Sequence, residues 1–315
     1  MAEVNGLELA FFLAFVVFAT WLDLFVLHKD DHDIGLAEAA WTSLAWVVVA
    51  LLFSGYVFWK YGAQGWAEYL TGYTLEKALS VDNIFVIAMI FNFFRVRGGL
   101  QHRALAWGVL GAVVMRGIMI YIGTSMVERF SWILPLFGLF LLYSGVKMLK
   151  GDHKEDGLEQ NRVYRWITRN LPVYPGFVKN HIITRQNGRL MLTTLGLAIV
   201  MVEATDLIFA IDSIPAVMAV SQNFFVVLTS NIFAILGLRA LYFLLAGVIH
   251  RFRYLKVGLS VVLAFIGGKL LVLPLGIHVN HWVSLGVVLS VVAVSILASL
   301  MIPDTSSTRS EQLGD

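Results

Sequence analysis

Two stretches set carboxylates inside sequence otherwise fit only for hydrocarbon. Residues 74–91 read TLEKALSVDNIFVIAMIF and residues 206–219 read DLIFAIDSIPAVMA, so that Glu76 and Asp206, Asp82 and Asp212, Asn83 and Ser213, and Ile84 and Ile214 occupy matching places. Glu203 adds an acid just ahead of the second stretch. An ionisable side chain at the bilayer centre costs at least ~2.5–3.5 kcal/mol and persists where it faces a cavity, a partner or an ion. The counter-charges at depth are Lys77, Arg116 and Arg239. Five acids against three bases leave an excess of about two negative charges, which suits one divalent cation or a set of exchangeable protons. Buried ion pairs that merely fix helix packing would explain an acid beside Arg116, but not that excess.

The available ligands are all oxygen: the carboxylates, Asn83, Ser213, Thr205 and any backbone carbonyl freed by a helix break. The chain has no cysteine, and neither motif holds a histidine. Hard oxygen sites suit Mg²⁺, Ca²⁺ or Mn²⁺, whereas Zn²⁺ and copper favour imidazole or sulfur. Met89, Met201 and Met218 lie near enough in sequence to add a soft ligand that favours Mn²⁺, although methionine in an apolar helix ordinarily packs. His278 and His281 read as surface histidines in a loop. At about 100° per residue, Glu76 and Asn83 share a helix face, as do Asp206 and Ser213, while Asp82 points elsewhere than Glu76 and Asp212 opposite to Glu203. An intact helix cannot aim all of its acids at one ion. Either the helices unwind at the motifs, or one subset holds the ion while the rest line its path.

The elements that carry these residues are membrane spans. With 58% hydrophobic and 14% charged residues among 315, the chain has lipid as its solvent. Its formal charge of +2 is too small to suggest a nucleic-acid partner. Segments of roughly 20 apolar residues recur nine times, near 7–27, 40–60, 66–94, 104–125, 130–150, 190–220, 224–248, 254–274 and 281–301. Alternate loops are unequal in Lys and Arg: one set, together with the tail, holds nearly all of them, and the other only Lys60 and Arg129. By the positive-inside rule the N-terminus lies outside, in the periplasm of a bacterial cell, and the C-terminus in the cytoplasm, with the chain in the inner membrane. Asp23 near the end of the first span reads either as a carboxylate snorkelling to the interface or as a gating group.

The matching continues past the acids. Met115-Arg116-Gly117-Ile118 parallels Leu238-Arg239-Ala240-Leu241, and Gly145-Val146-Lys147 parallels Gly267-Gly268-Lys269. The expected fold is therefore all-α and polytopic, with nine transmembrane helices and a 3+3 inverted repeat made of helices 3–5 and 6–8. The parts are residues 1–65 (two helices), 66–150 (first repeat), 151–189 (a cytoplasmic linker, with a short basic amphipathic helix over 161–176 as the alternative), 190–274 (second repeat), 275–303 (last helix) and 304–315 (a disordered tail). An inverted repeat places a site near the membrane midplane, between helices that alternate its access. The excess length of the third and sixth helices, with Gly72 in one and Pro215 in the other, points either to interruption of at least one of them or to tilted helices with a proline kink.

TLEKALSVDNIF, the arginine of VVMRGIMIYIG, VEATDLIFAIDSIPAV and NIFAILGLRALYFLL together resemble the TerC family of integral membrane proteins, in its Alx-like branch. The resemblance implies export of Mn²⁺ from the cytoplasm, and it carries over Glu76, Asp82, Asn83, Glu203, Asp206, Asp212 and Ser213 as the acidic-motif positions. Asp23, Arg116 and Arg239 stand beside them as counter-charge or gating groups. Exchange against H⁺ is expected, since carboxylates that release a cation must regain charge or protons. The expected partners are Mn²⁺, H⁺ and the lipid bilayer, with no organic cofactor and no enzymatic activity. Two other roles go with the family: delivery of Mn²⁺ to exported enzymes at the protein translocon, and redox modulation or tellurite resistance. Absence of cysteine weighs against the redox role.

Overall fold

The computed structural model describes residues 6–22, 35–130, 132–150, 162–178, 180–186, 188–246 and 252–301. Its elements are α1 (Gly6–Leu22), α2 (Leu36–Phe94), α3 (Gly98–Arg129), α4 (Ile133–Lys150), α5 (Arg162–Asn170), β1 (Ile183–Gln186), β2 (Arg189–Leu192), α6 (Thr194–Val220), α7 (Phe224–Leu236), α8 (Leu238–Leu245), α9 (Arg253–Val272) and α10 (His281–Met301), with a 3-10 turn at Leu273–Leu275. Among the described residues, six helices are long and apolar enough to cross a membrane. The pair α7–α8, bent by 41°, makes a seventh if counted as one span, and α1 is a shorter apolar helix. The chain is an α-helical polytopic membrane protein.

Helix α2 has 59 residues, which would reach about 90 Å if straight, some three times the hydrocarbon thickness. It is not straight. Gly62 lies at φ 70°, a left-handed conformation that glycine adopts without the strain of a Cβ. About this point the run folds back on itself. Trp66 Nε1 donates to Ser54 Oγ at 3.1 Å and Tyr69 OH to the Ala50 carbonyl at 3.1 Å, so later residues meet earlier ones in reverse order. The first limb runs up to Gly62; the second carries Glu76, Asp82 and Asn83.

Directions in the bundle follow from which residues meet. The second limb and α6 are antiparallel: Ser221 Oγ donates to Glu68 Oε2 at 2.5 Å, Gly72 faces Val217, and Asn83 reaches Asp206. Helix α3 runs parallel to α6, with Gly108 against Val202 and Gly123 against Met218. Helix α7 runs parallel to the second limb, with Gly72 on Ser230 and Lys77 on Ala234. Helices α4 and α9 cross antiparallel at backbone contact. A Cβ on Gly138 would stand 2.8 Å from the Gly267 carbonyl oxygen, one on Gly267 would stand 2.7 Å from that of Gly138, and one on Gly145 would stand 2.9 Å from that of Ser260. Small residues permit this approach, which is how helices associate where no hydrophobic effect drives them.

Three sequence expectations change. The third and sixth helices are not interrupted at their motifs, and α6 continues through Pro215; the interruption falls instead in the seventh, at Gly237 between α7 and α8. The sixth helix begins at Thr194 rather than 190, because residues 183–192 form an antiparallel hairpin whose turn has Gly188 at φ 78°. Glycine adopts such a conformation without the strain of a Cβ. Thr193 then caps α6, its Oγ1 accepting from the Gly196 amide at 3.1 Å. Part of the linker is helical: α5 buries Ile167 and sets Tyr164 edge-on to Phe93 at the end of α2. The Asp23 reading and the disordered-tail reading lie outside the described residues.

Candidate ion site

One arginine organises the acids. Arg116, at the middle of α3 and 1% exposed, donates through Nη1 to Glu76 Oε1 of α2 and through Nη2 to Asp206 Oδ1 of α6, the latter at 3.1 Å. Its Nε lies 3.5 Å from Asp206 Oδ2, which makes the second pairing a fork, and Nη1 also lies 3.4 Å from Asn231 Oδ1 of α7. Asn83 Nδ2 donates to Asp206 Oδ1 at 3.3 Å. Three helices therefore meet through one guanidinium whose planar donors match two carboxylates, and α7 closes the group. Glu76 is fully buried and Asp206 nearly so. Two carboxylates share a single guanidinium charge, and Glu76 Oε2 is buried with no hydrogen-bond partner.

The pairing has a counterpart between the two matched sequence stretches. In the antiparallel register of α2 and α6, the position facing Glu76 is that of Ser213, just as Asn83 faces Asp206. Ser213 Oγ is also buried without a partner. Thus the two halves of the match are unequal: Asn83 and Asp206 bond to each other, whereas Glu76 Oε2 and Ser213 Oγ are left with capacity to bind. A buried polar atom without a partner sacrifices about 1–3 kcal/mol.

The other sequence-predicted residues lie apart from this group. Asp212 is half-buried and turned toward α4, where Ser144 Oγ donates to its Oδ1 at 3.2 Å and Lys147 supplies a nearby positive charge. Glu203 lies against α3, where a Cβ on Gly111 would fall on its carboxyl group, and its Oε1 has no partner. Asp82 is half-buried on the second limb, and Arg239 is buried in α8. Thr205 Oγ1 donates to the Val202 carbonyl at 2.8 Å, which keeps its hydroxyl in its own helix. Among the described residues no three of His, Asp and Glu come together as a metal-holding group. The acids form a paired core, Glu76 and Asp206, with Asp82, Asp212 and Glu203 around it.

Sequence reasoning missed Glu68 and Asn231. Asn231 is fully buried and bonds Val227 and Arg116; a lone amide in the run FFVVLTSNIFAIL was its signal. Glu68, also on the second limb, lines a cavity of about 700 Å³ at one end of the bundle, with Gln64, Ser221, Lys269, His278 and His281. Its Oε1 accepts from Gln64 at 3.0 Å and lies 3.1 Å from His281 Nδ1, so His281 is a partner of an acid rather than a bare surface group. Glu76 lies two helical turns deeper, about 12 Å along the axis. The far end is shut: Ile87, Phe91, Ala198 and Val202 belong to one apolar cluster, with Phe91 against the Tyr242 ring at 5.6 Å.

Residues 61–307 match the integral membrane protein TerC family. The chain belongs to that family. The matched span begins at the α2 turn and contains every motif acid, while α1 and the first limb precede it. Among curated relatives, an uncharacterised membrane protein of Myxococcus xanthus is 45% identical over 290 residues, covering 92% of this chain and 91% of its own. A protein of Escherichia coli (strain K12), whose name proposes a membrane-bound redox modulator, Alx, is 45% identical over 278 residues, 85% of this chain and 86% of its own. An uncharacterised membrane protein of Rickettsia felis is 40% identical over 280 residues, 89% and 93% of the two chains. No solved structure matches.

Proposed function

We propose that this TerC protein is a membrane transporter that exports Mn²⁺ from the cytoplasm in exchange for H⁺. The observation that carries the reading is the charge and bonding of the Arg116 group: two buried carboxylates on one guanidinium, with Glu76 Oε2 and the facing Ser213 Oγ both unpartnered. A buried carboxylate in excess of its counter-charge holds either a proton or a cation. Hard oxygen donors favour Mn²⁺, Mg²⁺ or Ca²⁺. Arriving Mn²⁺ competes with Arg116 for Glu76, and Asp82, Asp212 and Glu203 line the route on either side. When the ion leaves, a proton takes its place on the vacated carboxylate, and carriage of that proton back across the membrane couples the movement to H⁺.

Nine spans and the 3+3 inverted repeat accord with this reading. Counting the folded-back α2 as two spans, α7–α8 as one and α1 as one gives nine. Each matched pair of helices, the second limb with α6, α3 with α7–α8, and α4 with α9, runs antiparallel, as a two-fold axis in the membrane plane requires. Under the positive-inside rule the Lys and Arg imbalance supports an orientation in which the Glu68 cavity faces the periplasm and the two ends of the chain lie on opposite faces of the inner membrane. Redox modulation, the role named for the Escherichia coli relative, has less support here, because a chain without cysteine offers no thiol couple of its own.

Flux of radioactive manganese in liposomes containing the purified protein tests the proposal. An imposed pH gradient should drive Mn²⁺ against its own gradient, in preference to Zn²⁺. A well-folded protein that neither binds nor moves Mn²⁺ would refute it.

A further inference from the structure

The break between α7 and α8 contains a charge that the acids do not use. Lys77 follows Glu76 on the second limb, and successive helical residues point about 100° apart. Glu76 bonds Arg116 of α3, while Lys77, one step round the helix, reaches a backbone carbonyl of α7. Its Nζ donates to the Ala234 carbonyl at 3.2 Å. In an unbroken helix that carbonyl would accept from the amide of Leu238, four residues on. Gly237 interrupts the run at φ −84°, ψ 0°, and a Cβ placed on it would stand 2.6 Å from Lys77 Nζ and 3.2 Å from Trp46 Cβ. The ammonium thus lies beside the break, where Trp46 of the first limb also crowds Gly237.

We propose that Lys77 is a tethered cation which holds the α7–α8 break in its bent form and so fixes the position of α8, the segment that carries Arg239. A helix C-terminus exposes carbonyls and the negative end of the helix dipole. Within a membrane no bulk water satisfies them, so broken helices use ions, side chains or neighbouring helices instead. Lysine suits the place: a compact charge with three donors on a flexible stem. One turn of α2 then carries the carboxylate of the ion site on one face and the clamp of the hinge on another. Any rotation of that turn as Glu76 exchanges Arg116 for an ion is transmitted to α8. Lys77 is a positioning residue, and its role in transport rests on the Mn²⁺ exporter reading.

The test uses two readouts on the full chain in liposomes. The protein has no cysteine, so Ala240→Cys, buried in α8, makes a single reporter whose rate of reaction with a maleimide measures the placement of that helix. In the Lys77→Met background the labelling rate should rise about fivefold or more, and maximal Mn²⁺ flux should fall about tenfold while half-saturating Mn²⁺ changes little, as expected for a residue that acts on a conformational step rather than on the ion. Lys77→Arg should restore both. Gly237→Ala, which displaces the ammonium without removing it, should raise labelling in the same way and serves if Lys77→Met fails to insert. Labelling and flux in Lys77→Met equal to those of the parent would overturn the proposal. A raised labelling rate in a protein whose parent shows no Mn²⁺ flux would uphold the placement and sink the transport reading instead.

Discussion

Arg116 offers the sharpest test of whether the acids are an ion site or a structural knot. Arg116→Met keeps much of the side-chain volume and removes the charge shared by Glu76 and Asp206, both buried. Stranding one member of a buried pair costs about 3–5 kcal/mol. At roughly 2–4 °C per kcal/mol for a large domain, the midpoint of thermal unfolding in detergent should fall by about 6–20 °C. Glu76→Gln in the same chain removes one of the two stranded charges and should recover a large part of that loss. Mn²⁺ should do so as well, because the ion then takes the guanidinium's place without competing for it. At a hundredfold its Kd a ligand adds about 2.7 kcal/mol, so Mn²⁺ should stabilise Arg116→Met by more than it stabilises the parent. Differential scanning fluorimetry with Mn²⁺ and with Ca²⁺ measures all of these. An unchanged midpoint in Arg116→Met would show that the guanidinium is not holding buried charge. Recovery by Glu76→Gln but none by any divalent cation would reduce the group to a packing ion pair.

Asp82→Asn and Asp212→Asn should each nearly abolish export while leaving the protein in the membrane, since neutralising an intramembrane acid relieves a burial penalty; Asp23→Asn should lower export only in part. Cellular manganese under metal load and membrane protein level separate these outcomes, and normal export from either motif variant would remove that acid from the path. Gly138→Leu should separate α4 from α9 and lower thermal stability by several kcal/mol, because the Gly267 carbonyl oxygen lies 2.8 Å from the would-be Cβ. Gly117→Ala, with nothing within 4 Å, is the neutral control. Tags at residues 1 and 315 should report opposite faces of the membrane; a cytoplasmic residue 1 would overturn the orientation and the inverted repeat with it.

The parts of the site legible in the sequence were those with the strongest energetic signature. Charges at membrane depth stand out against apolar runs, and pairing Arg116 with an acid followed from charge balance alone. Of the residues named by the face argument, Asn83 and Asp206 bond to each other across the α2–α6 contact. What stayed hidden was the tertiary choice among equally charged partners. Lys77 and Arg116 both qualified as counter-ions for Glu76, but one helical step sends Lys77 to a backbone carbonyl on α7. Pro215 looked like the better helix breaker, yet α6 runs through it, while Gly237, an ordinary small residue in sequence, marks the break because Lys77 and Trp46 crowd that point. The hairpin at 183–192 was masked by apolar residues that suit a strand as well as the start of a span.

The proposed inverted repeat also bears on motion. In the matching that aligns the two acidic motifs, Glu68 corresponds to Ala198 and Ser221 to Phe91. At one end of the α2–α6 contact, Glu68 and Ser221 bond to each other beside a cavity of about 700 Å³. At the other end, Ala198 and Phe91 are buried together in apolar packing. Positions matched by the two acidic stretches are therefore in unequal environments, polar beside a cavity at one end and apolar at the other. On the transport reading this is one of two related states, and exchanging the conformations of the repeats would close the Glu68 end and open the Phe91 end. The energetic obstacle is the apolar seal, since wetting it exposes Phe91 and its neighbours to water at about 25 cal/mol per Å². Phe91→Ala should weaken that seal and speed the opening of the closed end, whereas Ala198→Phe should deepen it. Opposite effects of the two variants on Mn²⁺ efflux rate, with Mn²⁺ binding unchanged, would follow from the repeat alone, and like effects would contradict it.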